Sequence, residues 1–161
     1  MPRLHVRTMK LDDAETIRRV ELACYGRHAG SLADLQRLIA DPNGGGVVAE
    51  QRGQLLGFLV HSVYLRSSEC IFRNLAVLPH CRRLGVGTAL ASFTFQYGNP
   101  DRPFSWKATV PERCVSMQML LRDLGFQCSL IIPDHFTITQ LAQDGYVFTR
   151  YRTADVLASS N

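Results

Sequence analysis

The spacing of hydrophobic and polar positions changes several times along the chain. Leu4-His5-Val6-Arg7 alternates and predicts a first strand. Leu11-Asp12-Asp13 then opens a helix with acids at its positive end, and Ala14, Ile17, Val20, Leu22 and Cys24 fall on its apolar side. Ser31 is placed to cap a second helix holding Leu32, Leu35, Leu38 and Ile39, and Asp41-Pro42-Asn43-Gly44-Gly45-Gly46 reads as the loop that ends it. Val47 to Glu50 and Leu55 to Leu65 predict a hairpin about Gln51-Arg52-Gly53-Gln54, and Ser67-Ser68 turns the chain into a strand from Glu69 to Val77. A helix from about Leu84 to Tyr97 is broken by Asn99-Pro100-Asp101. Phe104 to Thr109 is a short strand, Pro111 suits the first turn of a helix running to Leu124, and Gly125 ends that helix. Phe126 to Ile132 and Gly145 to Tyr151 are the last two strands.

The order β-α-α-β-β-β-α-β-α-β-β predicts a mixed α/β fold with helices inserted around a mixed sheet. No repeat or linker interrupts it, so residues 1–161 read as a single domain. Hydrophobic residues make up 46% and charged ones 20%, which excludes a disordered chain. The net charge of +4 is mildly basic, but no block of five Lys/Arg appears, so nucleic acid is not an expected partner. Cys24, Cys70, Cys81, Cys114 and Cys128 are odd in number and form no C-x-x-C pair, which points to free, buried thiols, a reducing compartment and no metal site. No run approaches a membrane span and the N-terminus lacks a signal core; the expected location is cytoplasmic.

The chemistry is concentrated between the fourth strand and the following helix. Leu75-Ala76-Val77 ends the strand, Pro79 stops it, and Arg82-Arg83-Leu84-Gly85-Val86-Gly87-Thr88 follows as a basic glycine loop. Glycines let backbone N–H groups approach an anion, and the helix behind adds its positive end. The order describes a diphosphate cradle. A Walker loop would need Gly-Lys-Ser/Thr, and a dinucleotide fingerprint a third glycine and a later acid; neither fits.

The R-x-x-G-x-G spacing from Arg82 to Gly87 resembles the acyl-CoA loop of the Gcn5-related N-acetyltransferases, and Leu124-Gly125-Phe126 is similar to that family's frequent ending of a later helix. The resemblance covers nearly the whole chain and is nearest in pattern to members that acetylate ribosomal-protein alanine. It implies the acyl-CoA N-acyltransferase fold, with acetyl-CoA as cosubstrate and an amine of a protein N-terminus or small molecule as acceptor. By that resemblance Leu75, Ala76 and Val77 would offer backbone groups to the pantetheine arm, and the N–H groups of Arg83, Leu84, Gly85, Val86, Gly87 and Thr88 would take the phosphates. Arg82 and Arg83 would screen their charge.

The family's acidic tyrosine would fall at Leu121, its asparagine at Cys114 and its glutamate at Thr109, so all three are replaced here. Catalytic residues are therefore open. Glu69, acting through water, and the phenols of Tyr146 or Tyr151 are substitutes by type. Arg73, sharing the face of Glu69, is placed to read an acceptor's carboxylate. Cys114, near the expected acetyl end, is a further alternative as a thiol acid or acceptor, His28 and His135 are others at the rims, and Trp106 is expected in the core. A second function stays open beside the enzyme, that of a catalytically weak relative binding acyl-CoA as a ligand or regulatory signal.

Overall fold

A computed structural model describes residues 3–138 and 140–153. The fold is mixed α+β, with seven strands and four α-helices among the described residues. The chain divides into two compact units: one holds the residues up to Val63 together with Phe72–Phe95, the other Tyr64–Ile71 and the chain from Gln96 onward.

The first unit contains β1 (His5–Thr8), α1 (Ala14–Tyr25), α2 (Leu32–Ala40), β2 (Gly44–Gln51), most of β3 (Gln54–Tyr64), the later part of β4 (Glu69–Val77) and α3 (Val86–Phe93). Its strands lie in the order β1-β2-β3-β4, with β1 and β3 antiparallel to β2. Ala14, Ile17 and Val20 of α1 and Leu35 of α2 pack on Val48, Phe58, Val60 and Ala76. On the other face Val86 and Leu90 of α3 pack on Val47, Ala49, Leu59 and Val77. Alternation along each strand thus feeds two cores. A register shift at Ala49/Glu50 places one extra residue in β3, so Leu55 joins the first core and Leu56 the second.

Strand β4 carries a similar break. Phe72 packs with the second core, as do Leu75 and Val77, three and five residues on. Arg73 Nε donates to Ser62 Oγ at 3.1 Å, and Asn74 Nδ2 donates to Glu21 of α1 at 2.6 Å. Ala76 belongs to the first core. Two consecutive side chains, Arg73 and Asn74, therefore point to the α1 face.

The second unit contains β5 (Phe104–Pro111), α4 (Val115–Asp123), β6 (Gln127–Ile138) and β7 (Leu141–Arg152), ordered β5-β7-β6 with both pairings antiparallel. Trp106 is fully buried, as expected. Gly125, at φ +85°, closes α4: its N–H donates to Arg122 O and that of Phe126 to Leu121 O.

Several boundaries differ from the sequence expectations. Gly44-Gly45-Gly46 is not a loop but the start of β2, opposite Ser62, His61 and Val60. These glycines serve close packing: a Cβ on Gly46 would lie 2.6 Å from Leu59 O. The third helix starts at Val86, because Arg83 and Gly85 are left-handed at φ +65° and +81°, and it ends at Phe93 in a 3-10 turn. Pro111 closes β5 opposite Gly145 instead of opening a helix, and Cys114 caps α4. Strand β6 runs past Pro133, which is tolerated on an outer strand inside an irregularity between Ile132 and Phe136. Leu22, expected on the apolar side of α1, is 45% exposed, while Glu21 is buried. The thiols are free, yet Cys128 is exposed and Cys24 and Cys114 are half-buried, so only Cys70 and Cys81 are buried as expected. Among the described residues no helix is long and apolar enough to cross a membrane.

Candidate active site

The first unit holds the glycine loop in a defined shape. After β4, Pro79–Cys81 makes one 3-10 turn closed by Cys81 N–H to Leu78 O at 2.8 Å. Arg82 is extended, Arg83 is left-handed, and Gly85 is the left-handed cap residue from which α3 departs. With Arg83 and Gly85 both left-handed the chain turns sharply into α3, a turn of the kind in which backbone N–H groups gather into an anion nest. Ala89 N–H donates to Gly85 O at 2.9 Å, the first bond of the helix. Among the described residues, the N–H groups of Arg83, Leu84, Gly85, Val86, Gly87 and Thr88 donate to no protein acceptor. A Cβ built on Gly85 meets nothing within 4 Å, so the space beside this turn is open.

The charges are also placed. Arg82 Nε donates to Val77 O at 3.0 Å, which fixes the guanidinium at the strand end with both Nη groups beyond it. Arg82 and Arg83 are exposed, and neither has an acidic partner among the described residues. A diphosphate fits this donor set, because free amides, two guanidinium groups and a helix N-terminus all favour anionic oxygens.

The end of β4 is served by side chains. Tyr25 Oη of α1 donates to Leu75 O at 2.8 Å, and Cys24 Sγ lies 3.4 Å from Val77 O. Leu75 and Val77 were expected to have unpaired backbone groups; instead the Leu75 carbonyl accepts from the Tyr25 hydroxyl, and the Val77 carbonyl accepts from both Arg82 and Cys24.

Glu21 and Asn74 belong to this region and were missed. Glu21 is 6% exposed, its Oε1 accepts from Asn74 Nδ2, and its Oε2 has no partner among the described residues. A signal existed in the sequence: Ala14, Ile17 and Glu21 follow the i, i+3, i+7 rule, so the glutamate occupies an apolar-stripe position.

The remaining candidates are distributed as follows. Arg73 is exposed and bonded to Ser62. In the second unit, Glu69 accepts from Lys107 Nζ at 2.9 Å, Thr109 is exposed on β5, and Leu121 is fully buried. Tyr146 is half-buried on β7 opposite Val110 and Ile131; Tyr151 on the same strand is 70% exposed. His135 lies within β6, edge-on to Phe136 at 4.7 Å, and His28 ends a 3-10 turn after α1. Among the described residues no cluster of ligating side chains suits a metal ion.

The sequence matches the Acetyltransferase (GNAT) family over residues 12–126, so the chain belongs to that family of acetyltransferases, whose cosubstrate is acetyl-CoA. No curated protein matches the sequence. Among solved structures, the ribosomal-protein-S18-alanine N-acetyltransferase of Escherichia coli is similar at a TM-score of 0.80 and 17% identity, over 94% of this chain and 95% of that one. NAA60 of Arabidopsis thaliana in complex with a bisubstrate analogue gives 0.79 and 14%, over 94% and 99%. Its complex with acetyl-CoA gives 0.78 and 14%, over 92% and 98%. At these identities the likeness is one of fold.

Proposed function

We propose that residues 1–161 act as one N-acetyltransferase domain that transfers the acetyl group of acetyl-CoA to a primary amine by direct attack, the acceptor being a protein N-terminus or a small molecule. The reading rests on one observation above the rest: six consecutive free amides, from Arg83 to Thr88, at the N-terminus of α3 beside Arg82 and Arg83. Acetyl-CoA supplies the activated acyl group. The chain's own residues hold it: the loop amides take the diphosphate, the two arginines neutralise it, and the backbone of Leu75, Ala76 and Val77 guides the pantetheine arm. A backbone N–H in that segment polarises the thioester carbonyl. Arg73, on the α1 face, favours acceptors that carry a carboxylate. Glu69 and Tyr146 are the side chains proposed for proton transfer, with Glu69 first having to release Lys107. The two buried thiols fit a reducing compartment such as the cytoplasm.

The test is calorimetric titration with CoA, followed by acetyl transfer to a panel of amines and N-terminal peptides, read as release of CoA thiol. Submillimolar CoA binding and turnover on at least one acceptor are expected; absence of CoA binding overturns the proposal. A specific observation favours the second reading, an acyl-CoA-binding relative without efficient catalysis. Where the family places its acid, this chain has Leu121, an aliphatic side chain with no exposed surface. CoA binding with no turnover across the panel would decide for it.

A further inference from the structure

The second unit contains a cavity of about 410 Å³ whose residues play no part in the cradle. Leu65, Arg66 and Ser68 line it from the turn before β4, and Asn99, Arg102 and Phe104 from the segment leading into β5. Its volume falls within the range of small-ligand sites, roughly 300–1,000 Å³. The turn and the segment are tied by Ser105 N–H to Ser68 O at 2.9 Å, and Asp101 N–H donates to Asn99 Oδ1 at 2.9 Å, so both walls have defined shapes.

Charge distinguishes the cavity. Among the described residues neither Arg66 nor Arg102 is paired with a carboxylate. The two nearest acids in sequence do not compensate them: Glu69 is bound to Lys107, and Asp101 makes no ion pair. A third cation contacts two of the lining residues. Arg152 Nη2 donates to Tyr97 O at 3.1 Å and Asn99 O at 2.9 Å, and its guanidinium stands 5.5 Å from the centre of the Phe104 ring. The effect on a neighbour is visible, since burial and the charge of Arg152 both press the Arg150 pKa down. Phe104 and Leu65 supply apolar wall.

We propose that this cavity binds a small molecule carrying one carboxylate or phosphate group on an apolar body, with Arg66 and Arg102 taking the oxyanion and Phe104 and Leu65 the body. A guanidinium presents a planar fork that suits either oxyanion, and two of them lining one cavity gain from a shared counter-charge. The inference is independent of acetyl transfer.

The test is backbone amide NMR of the full chain titrated with phenyl phosphate, benzoate, inorganic phosphate and benzyl alcohol. Saturable shifts at Ser68, Asn99 and Phe104 are expected with phenyl phosphate and benzoate. Inorganic phosphate should bind there about tenfold more weakly for lack of an apolar body, and benzyl alcohol not at all. Tighter binding of phenyl phosphate assigns a phosphate, and of benzoate a carboxylate. The double variant Arg66→Gln with Arg102→Gln should weaken both by at least about tenfold. Both side chains are exposed, so its melting temperature should stay at the wild-type value, and Arg102→Gln alone provides a milder second variant. Shifts confined to Arg83–Thr88, equal binding of benzyl alcohol, or unchanged affinity in the double variant would overturn the proposal.

Discussion

Replacing Gly85 by alanine separates what the glycine does for the fold from what it does for an anion. Its φ of +81° is a conformation that costs an L-residue roughly 1–2 kcal/mol. Alanine also restricts the unfolded chain, returning about 0.4–1 kcal/mol, so the net loss of stability is about 1 kcal/mol. For a chain of this size that lowers the melting temperature by about 2–4 °C. No protein atom lies within 4 Å of the added Cβ, so no clash adds to this figure. Binding should suffer more. A methyl group at the centre of the nest displaces a phosphate oxygen from at least one amide, and a hydrogen bond to a charged group contributes about 1.5–3 kcal/mol. The dissociation constant for CoA should therefore rise about 10- to 150-fold. Acetylpantetheine, which lacks the diphosphate, supplies the control: calorimetry should give it the same affinity in both proteins. Wild-type CoA affinity in Gly85→Ala, or an equal loss for acetylpantetheine, would refute the cradle.

Three further outcomes are expected. Burial lowers the His61 pKa to about 4, below its unfolded value near 6.5. The unfolded chain thus binds the extra proton between those values, and stability present above pH 6.5 should fall toward pH 4 by up to about 3 kcal/mol; urea unfolding of wild type and His61→Leu at pH 7 and pH 4.5 checks this, an identical pH dependence counting against it. Glu69→Gln should lower turnover at saturating substrates by about 10²-fold or more and remove the acidic limb of the pH–rate profile; a change below about threefold would mean that the carboxylate held by Lys107 carries no proton in the reaction. Leu121→Tyr enlarges a side chain with no exposed surface and should cost about 1–3 kcal/mol by thermal unfolding, whereas an unchanged melting temperature would mean the phenol finds room outside the core.

The sequence was most legible where a local rule acts on few residues. Ser31 caps α2 by accepting from Asp34 N–H, and Gly125 closes α4 with a left-handed turn. It was least legible where tertiary contact overrides a local signal. Three glycines at 44–46 indicate a loop by propensity, yet here Gly46 lets Met9 and Leu59 approach β2, and Gly44 lets Leu38 do so. Glu21 was passed over because charge is expected outside, although its helical spacing put it inside. For the site, the loop residues were readable since backbone geometry follows from Gly and Arg at fixed spacing. The proton-transfer groups were not, because they depend on which distant side chains meet, as Glu69 and Lys107 do across 38 positions.

The break in β4 gives the strand two independent phases. With an ordinary two-residue repeat, a single-residue deletion anywhere inside a strand turns everything beyond it to the opposite side of the sheet. Here Arg73 and Asn74 already share a side, so removing one of them restores strict repetition without moving Leu75, Ala76 or Val77 from the sides they now occupy. What such a deletion takes away is the local bend: the two residues share one step of the sheet, so the downstream residues keep their register while the strand straightens and delivers the glycine loop at a different angle. The doublet sets the aim of the strand and not its length, so a one-residue deletion there would redirect the cofactor loop while keeping both cores intact.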